Sequence, residues 1–359
     1  MKSMSPPMRT DALVDWTPAE CQALVNALTR RGFVATAASV AALAGLSVAG
    51  AQTPGATPGD GGTRTVETVN GPVEVPAHPT RVVCVDSYSL AALIDAGLVP
   101  VGVPELDLDS FIAPYKAALT GVPTIGTFQG IDVEKIKVLQ PEVILSINAP
   151  WATDIYDQLT QIAPTVLLDY TVPNAWQVLS DQFAFAVGRE ADLATVKETY
   201  AERTAAVKAA NADAMATLKW AVAIGWGAAD NQFALYYPDS APGVILTDCG
   251  AQFIAAAEGK TGASEQFSYE RLSLLEDADI LLTYGVRDGQ PEEQTQAMFD
   301  QPLFQALRVA QEGHLFPLSN VIPSSYGAAI LFVGSVETIL GQVTGGGTGT
   351  GTPAASPAA

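Results

Sequence analysis

Aromatic and polar side chains follow the predicted β-strands of this 359-residue chain, where they could line a binding site. In parallel βα sheets, ligands bind beyond the carboxyl ends of the strands. Aromatic rings supply apolar area and a few polar groups orient a ligand, which suits a bulky chelate or macrocycle. The candidate ligand-binding residues are Ser87, Tyr88, Phe128, Gln129, Asn148, Trp151, Trp226, Tyr237, Tyr284, Arg287, Asn320 and Tyr326, and the same loops hold Glu105, Leu106, Tyr170 and Ser324.

Three of these aromatic residues are preferred as ligand contacts. Phe128, Trp226 and Tyr326 each lie in a loop-like context flanked by Gly or Ser, and Trp151 and Tyr88 come next. The alternative for any one of them is packing in a core, which is the commoner fate of an aromatic side chain.

Cysteine and histidine patterns do not predict a metal site. The cysteines Cys21, Cys84 and Cys249 show no CxxC or CxxxC spacing, and His78 and His314 are the only histidines. A zinc or Cys/His site is therefore not expected. The apolar neighbours of Cys84 and Cys249 predict buried thiols.

Catalytic patterns are also missing from the sequence. It contains no G-x-S-x-G, no Walker motif and no G-x-G-x-x-G that opens a helix after a strand. The acids Glu105 and Asp107 form a close pair, but acids are abundant throughout. Adjacent Tyr236 and Tyr237 could ligate bare ferric iron, yet neighbours in a strand point to opposite faces and no histidine is near.

One segment has a counterpart later in the chain. "GIDVEKIKVLQPEVIL" (130–145) aligns without a gap with "QFSYERLSLLEDADIL" (266–281), so that Glu134 corresponds to Glu270. Asp132 and Ser268 are suitable N-caps, and each glutamate falls in the first helical turn, where the helix dipole favours an anion. On local chemistry alone, the glutamates could simply stabilise two helix starts by about 0.3–1 kcal/mol each.

The elements that must position these residues follow an α/β pattern. Short β-branched runs alternate with amphipathic stretches, which predicts mostly parallel sheets. Residues 175–218 contain one Gly and no Pro, which predicts two helices that meet near Gly188, the second about 30 residues long. The expected fold is two Rossmann-like βα lobes joined by a single long α-helix, with the ligand cleft between the lobes. Strands are predicted at 81–86, 99–103, 142–147 and 163–169 in the first lobe and at 220–227, 233–238, 278–285 and 314–319 in the second.

The ends of the chain differ in composition from its middle. Residues 1–51 resemble a twin-arginine export signal, because Arg30 and Arg31 precede a mildly apolar run and an A-x-A site at Ala49 to Ala51. A short transmembrane anchor is the alternative. Export would place the protein in the periplasm, at the cell surface or outside the cell. The predicted divisions are a signal segment (1–51), a flexible linker (52–63), an N-terminal lobe (64–174), an interlobe helix region (175–218), a C-terminal lobe (219–343) and a disordered low-complexity tail (344–359).

The charge balance limits the class of partner. The chain has 18 Lys and Arg against 38 Asp and Glu, a formal net charge of −20. Nucleic acids and anionic lipids are bound by clustered cations, so neither is expected as the main partner.

Taken together, these segments resemble the class III periplasmic binding proteins of ABC importers, the carriers of ferric siderophores, haem and vitamin B12. The resemblance covers residues 64–343, and the long interlobe helix is part of it. It implies a monomeric carrier without a covalently bound cofactor that delivers an iron–siderophore complex to a permease dimer. It also implies that Glu134 and Glu270 dock onto permease arginines. The matching stretches are "GPVEVPAHPTRVVCVDSYSLAALIDAGLVPVGV", "IGTFQGIDVEKIKVLQPEVILS", "FSYERLSLLEDADILL" and "HLFPLSN".

The scarcity of cations narrows the implied ligand. Arg287 is the only cation that falls in a predicted cleft loop, whereas a highly anionic tris-catecholate complex would require several. A neutral or cationic ligand such as a hydroxamate-type ferric siderophore is therefore favoured, although Arg287 could instead pair with Asp288 or Glu292. The alternatives are a haem or cobalamin carrier, a secreted enzyme, or a non-transport scaffold with the same fold.

Overall fold

The computed structural model describes residues 62–345 except 106–112, 128–129, 173, 227–230 and 287–289. The predicted signal and almost all of the linker and tail lie outside the described residues, as do Phe128, Gln129 and Arg287.

An antiparallel hairpin begins the described part of the chain, in which Val66 pairs with Val73. The elements that follow alternate between strands and helices, as the sequence pattern predicts. In order, the first lobe contains β1 (Thr63–Thr68), β2 (Gly71–Pro76), β3 (Val82–Cys84), α1 (Ser87–Asp95), α2 (Ala113–Leu119), β4 (Gly126–Thr127), β5 (Gly130–Ile131), α3 (Val133–Val138), β6 (Val143–Ile147), α4 (Pro150–Thr153), α5 (Tyr156–Thr160) and β7 (Thr165–Leu168).

The central sheet of the first lobe is parallel, in the order β3-β6-β7. Alternate side chains of these strands enter two different hydrophobic clusters, with Leu145 in one and Ile144 in the other. Both faces are therefore covered, which explains why the strands are continuous apolar runs. The predicted strand at 99–103 is reduced to isolated bridges at Gly102 and Val103, since prolines at 100 and 104 remove backbone donors on either side.

Three helices connect the lobes: α6 (Ala175–Ala186), α7 (Glu190–Ala210) and α8 (Ala212–Thr217). The first two meet at Gly188, whose φ of +69° is accessible to glycine without strain. The second is shorter than predicted, because it ends after 21 residues at Asn211, whose side-chain amide donates to the Val207 carbonyl.

The second lobe contains a mixed sheet in the order β11-β9-β8-β12-β13, with β10 beside β8. Strands β8, β12 and β13 are parallel, whereas β9 and β11 pair antiparallel at one edge. The elements are β8 (Lys219–Trp226), β9 (Gln232–Tyr236), α9 (Ala241–Asp248), β10 (Gln252–Phe253), β11 (Ser264–Ser268), a 3₁₀ helix (Tyr269–Leu275), β12 (Ile280–Tyr284), α10 (Glu293–Phe299), α11 (Pro302–Gln305), α12 (Arg308–Gln311), β13 (Leu315–Leu318) and α13 (Tyr326–Gly345).

Helix α13 packs across both lobes. At its start, Tyr326 makes edge contacts with Trp176 of α6 and Tyr200 of α7, at ring-centroid distances of 4.9 and 5.7 Å. Within the described residues it is the only helix long and apolar enough to cross a membrane, but 67% of the window concerned is buried inside the protein. Its apolar character is thus explained by core packing.

Candidate functional site

A cavity of about 340 Å³ lies between the two lobes. Its volume is within the usual range of small-molecule sites, which is about 300–1,000 Å³. None of the described residues that line it is charged. They are Ser87, Tyr88 and Tyr115 from the first lobe and Tyr284, Ser319, Asn320, Ile322, Pro323, Ser324 and Ala328 from the second.

Strand ends place most of this lining. Ser87 and Tyr88 open helix α1 directly after β3, Tyr284 is the last residue of β12, and Ser319 and Asn320 follow β13. These are carboxyl ends of parallel strands, where the topology of such sheets leaves a crevice.

A buried carboxylate fixes the first turn of α1. Asp86 Oδ1 accepts hydrogen bonds from the backbone N–H groups of Tyr88 (2.7 Å) and Ser89 (2.9 Å). Its Oδ2 accepts from Ser89 Oγ (2.8 Å) and from the Ile147 N–H (3.0 Å) at the end of β6. Burial raises the pKa of Asp86, although its hydrogen bonds act in the opposite direction. The carboxylate thus holds Tyr88 in register with the neighbouring strand.

Burial favours the neutral form of two phenols near the cavity, those of Tyr88 and Tyr236. Burial raises the pKa of Tyr88, and the nearby Asp86, Tyr236 and Tyr170 add to the effect. Burial also raises the pKa of Tyr236. Neutral phenols donate and accept hydrogen bonds but are poor ligands for bare ferric iron. Among the described residues, no group of three or more His, Cys, Asp and Glu side chains is placed to hold a metal ion.

A second buried carboxylate lies beside the cavity, where the lobes meet. Asp95 Oδ1 accepts from the Tyr115 hydroxyl at 2.6 Å, and Oδ2 accepts from the Gly327 N–H at 2.7 Å. The Tyr115 hydroxyl also hydrogen-bonds Ser325 Oγ at 2.7 Å. Burial raises the pKa of Asp95 to about 6, while the hydrogen bonds from Tyr115, Gly327 and Ser325 lower it.

The structure brings part of the predicted site together. The cavity lining includes Ser87, Tyr88, Tyr284 and Asn320, together with Ser324 from the same loops. Contact with a ligand stays a prediction for these residues. The lining residues that the sequence reasoning missed are Tyr115, Ser319, Ile322, Pro323 and Ala328.

The sequence contained a signal for some of the missed residues but not for Tyr115. Ser319, Ile322 and Pro323 lie in the loop after β13, and selecting that whole loop, rather than its conspicuous polar residues, would have found them. Tyr115 lies in a short helix (Ala113–Leu119) that begins well after the end of the predicted strand at 99–103, so selecting residues at strand ends does not reach it.

Two predicted ligand contacts have other partners in the structure and are not among the residues that line the cavity. Tyr237 donates its hydroxyl to Glu265 at 2.6 Å, away from the cavity lining, because the turn after β9 directs it towards the edge strand. Tyr326 is only 5% exposed, and its ring packs between Trp176 and Tyr200, because it starts a buried helix instead of lying in a loop.

Of the remaining candidates, Asn148 and Trp151 are described, and neither is among the residues that line this cavity. Asn148 follows β6, and Trp151 packs against both hydrophobic clusters of the first lobe. Trp226 ends β8, and its side chain lies outside the described part of the chain, as do Phe128, Gln129 and Arg287.

The paired glutamates are exposed on opposite lobes. Glu134 lies in the first turn of α3. The N-cap of this helix is Asp132, whose carboxylate accepts a hydrogen bond from the Lys135 N–H at 3.1 Å. Glu270 lies in the first turn of the 3₁₀ helix, where α-helix was expected, and Ser268 makes no side-chain capping bond there. Neither glutamate side chain makes a hydrogen bond or ion pair with any described residue, so both carboxylates are available to a partner.

Comparison with known proteins identifies extensive similarity. The family model for periplasmic binding proteins matches residues 82–321. The probable siderophore-binding lipoprotein YfiY of Bacillus subtilis is 27% identical over 289 residues, which are 77% of this chain and 87% of that protein. The achromobactin-binding periplasmic protein of Dickeya dadantii is 24% identical over 273 residues, 74% of this chain and 87% of that protein.

Solved structures show the same architecture. The siderophore periplasmic binding protein from the fuscachelin gene cluster of Thermobifida fusca superimposes with a TM-score of 0.62 at 26% sequence identity. The match covers 74% of this chain and 98% of that chain. Nearly the whole of that protein therefore has a counterpart in this chain.

Proposed function

Because this chain belongs to the periplasmic binding protein family, we propose that it captures an iron–siderophore complex outside the cytoplasm and delivers it to an ABC-type permease. The observation that carries this proposal is the cavity between the lobes, lined by three tyrosines and several hydroxyl or amide side chains. Such a lining buries a bulky chelate and orients it through hydrogen bonds. The protein then acts as a carrier and not as an enzyme, with the siderophore bound non-covalently.

The charge of the lining supports a choice among siderophores. The described lining contains no cation, and burying an anionic complex without a cationic partner is unfavourable. The hydroxyl groups of Tyr88 and Tyr284 can donate hydrogen bonds to hydroxamate oxygens. We therefore expect a neutral or cationic hydroxamate-type complex to bind more tightly than a tris-catecholate complex.

Tryptophan fluorescence quenching of the purified full chain tests the ligand class. Ferrioxamine B and ferrichrome are the hydroxamate probes, ferric enterobactin is the catecholate probe, and haemin and cyanocobalamin represent the alternative carriers. Saturable binding of a hydroxamate probe supports the proposal, whereas binding of haemin or cyanocobalamin alone assigns the alternative. Absence of binding across the panel contradicts it and favours a scaffold.

Two tyrosine variants test the location of the site. Tyr88→Ala removes a lining side chain, and Tyr237→Phe removes a hydroxyl that bonds Glu265 away from the lining. Only Tyr88→Ala is expected to weaken siderophore binding. The expected loss of affinity is about tenfold, because one lining aromatic ring and its hydrogen bond to the ligand are removed. Equal effects of the two substitutions would contradict the location.

Exposed carboxylates support permease docking through Glu134 and Glu270. The partner would be a permease dimer that presents one arginine cluster to each lobe, and the carrier would act as a monomer. The double variant Glu134→Ala/Glu270→Ala should abolish siderophore uptake while it leaves probe affinity unchanged. Glu198→Ala/Glu202→Ala, on the exposed face of α7, is the matched control. Normal uptake by the first variant would refute the docking role.

The N-terminal sequence supports export through the twin-arginine route. Replacement of Arg30 and Arg31 by Lys should retain the protein in the cytoplasm, because that route requires the arginine pair. Mass spectrometry of the exported protein then identifies its first residue and distinguishes cleavage near Ala51 from an uncleaved anchor. Unchanged export of the Lys variant would exclude this route.

A further inference from the structure

A buried polar cluster joins the two lobes next to the proposed ligand cavity. Asp95 and Tyr115 belong to helices α1 and α2 of the first lobe, and Ser325 and Gly327 lie at the start of α13 in the second. Three hydrogen bonds of 2.6 to 2.7 Å connect them: Tyr115 hydroxyl to Asp95, Tyr115 hydroxyl with Ser325 hydroxyl, and Gly327 N–H to Asp95. All four residues are buried.

We propose that Asp95, Tyr115 and Ser325 form an interlobe lock that fixes the opening of the cleft and thereby sets ligand affinity. The proposal rests on the function proposed above, and it assigns a positioning role to a carboxylate that does not itself line the cavity.

The start of α13 explains why a hydrogen-bond acceptor is needed at this contact. The first N–H groups of a helix have no partner within the helix, and the helix dipole places partial positive charge there. Ser325 Oγ satisfies the Ala328 N–H only at 3.4 Å, whereas the Gly327 N–H is satisfied by Asp95, which is 232 residues away in sequence. Within the described residues, no Lys or Arg side chain forms an ion pair with Asp95, so the carboxylate is stabilised by its hydrogen bonds from Tyr115, Gly327 and Ser325.

Close approach of the lobes depends on a glycine. A Cβ atom at Gly327 would collide with the Asp95 carboxylate and would lie 2.6 Å from the Tyr115 hydroxyl. The backbone of α13 therefore lies against the carboxylate with no space for a side chain. Since hydrogen bonds are directional and buried unpaired groups are costly, this cluster specifies one relative position of α1 and α13.

The cluster is connected to the cavity through two residues that line it. Tyr115 and Ala328 both line the cavity, from opposite lobes, and both adjoin the lock. Tyr326, one residue after Ser325, packs on Trp176 of α6. The start of α13 therefore has an aromatic contact with a connecting helix and a polar contact with the first lobe beside the cavity.

Pulsed electron–electron double resonance between spin labels tests the lock without any ligand. Labels at Lys137→Cys and Ser273→Cys, both at exposed positions in different lobes, report the interlobe distance in the full chain carrying Cys21→Ser. The native thiols Cys84 and Cys249 are buried. We expect one narrow distance distribution in this parent, and a shifted or broader one after Asp95→Ala or Tyr115→Phe.

Two further variants separate the lock from general packing. Asp95→Asn keeps an acceptor for the Gly327 N–H and should retain the parent distribution. Tyr284→Phe removes a cavity-lining hydroxyl outside the lock and should also retain it. Unchanged distributions in Asp95→Ala and Tyr115→Phe, both folded by circular dichroism, would overturn the proposal. If Asp95→Ala does not fold, Tyr115→Phe decides alone, since it keeps the ring.

Ferrioxamine B titration links the lock to affinity. If the lock opens so that about one molecule in ten keeps the binding geometry, the apparent Kd of Tyr115→Phe rises about tenfold. A changed distance distribution with an unchanged Kd would refute the effect on affinity. If the parent binds no siderophore but the distances change as expected, the proposed function fails and the lock stands.

Discussion

The Asp95→Asn substitution should stabilise the protein at neutral pH and remove part of its pH dependence. Asp95 is 2% exposed, and burial raises its pKa from the ordinary 3.8 to about 6. A group whose pKa is raised by folding contributes stability that is fully present below about pH 4 and is lost as the pH rises through about 6. The difference corresponds to about 3 kcal/mol of unfolding free energy, by which the ionised carboxylate weakens the folded state.

Local geometry allows an amide to replace this carboxylate. The amide oxygen can accept the Gly327 N–H, and the amide nitrogen can donate to the Tyr115 hydroxyl, which then donates to Ser325. The variant should therefore be more stable than the parent at about pH 8, by less than about 3 kcal/mol because charge-assisted hydrogen bonds are lost. That advantage should shrink by about 1.4 kcal/mol on going to about pH 5, where the parent carboxyl group becomes protonated.

Urea denaturation at several pH values measures this difference. A range from about pH 5 to about pH 8 stays above the sequence pI of 4.3, where repulsion between like charges opposes aggregation. Asp213→Asn, on the exposed face of α8, is the control. Its free energy of unfolding should change with pH in the same way as that of the parent. If the unfolding free energies of the parent and of Asp95→Asn change equally with pH over this range, the assignment of a raised pKa to Asp95 is refuted.

For four further substitutions, the structure predicts the direction in which stability changes. Asp86→Asn should lose about 1–3 kcal/mol in the same urea assay, because the new amide group faces a backbone N–H in either orientation. Gly327→Ala should lower the thermal midpoint, because its Cβ collides with Asp95, whereas Gly341→Ala in the same helix has open space and should gain about 0.5–1 kcal/mol. Trp176→Ala should cost about 3–5 kcal/mol, since it removes a buried ring that packs on α7 and α13. A stabilised Gly327→Ala, or a neutral effect of Asp86→Asn or Trp176→Ala, would contradict the corresponding contact.

Local patterns predicted much of the fold. Apolar β-branched runs predicted the parallel strands, because a strand buried on both faces must be apolar throughout. The Gly188 junction was predicted because only a glycine interrupts residues 175–218, but the break at Asn211 was not, because an asparagine within a polar helical stretch gives no stop signal. The doubled segment predicted matching positions for Glu134 and Glu270, although the second helix is 3₁₀.

The sequence predicted those residues of the candidate site that lie at or just after the ends of strands. Ser87, Tyr88 and Tyr284 follow or end predicted strands, and the topology of βα units then places them at the crevice. Tyr326 was assigned to the ligand because Ser325 and Gly327 flank it, a composition typical of a loop. In the structure, those two residues instead belong to the contact with Asp95 and Tyr115, while the tyrosine ring packs in the core.

The sequence by itself therefore determined the alternation of strands and helices and the strand ends that face the cleft, because both depend on periodicity, spacing or capping within a few residues. The family was implied by the resemblance of several segments spread over the chain to periplasmic binding proteins. Only the tertiary structure decided the partners of Asp95, which come from residues 20 and more than 200 positions away. In the sequence, Asp95 is one acid among 38 Asp and Glu residues. A carboxylate gains a raised pKa and a structural role through burial and through donors from other helices, and neither is encoded in the residues beside it.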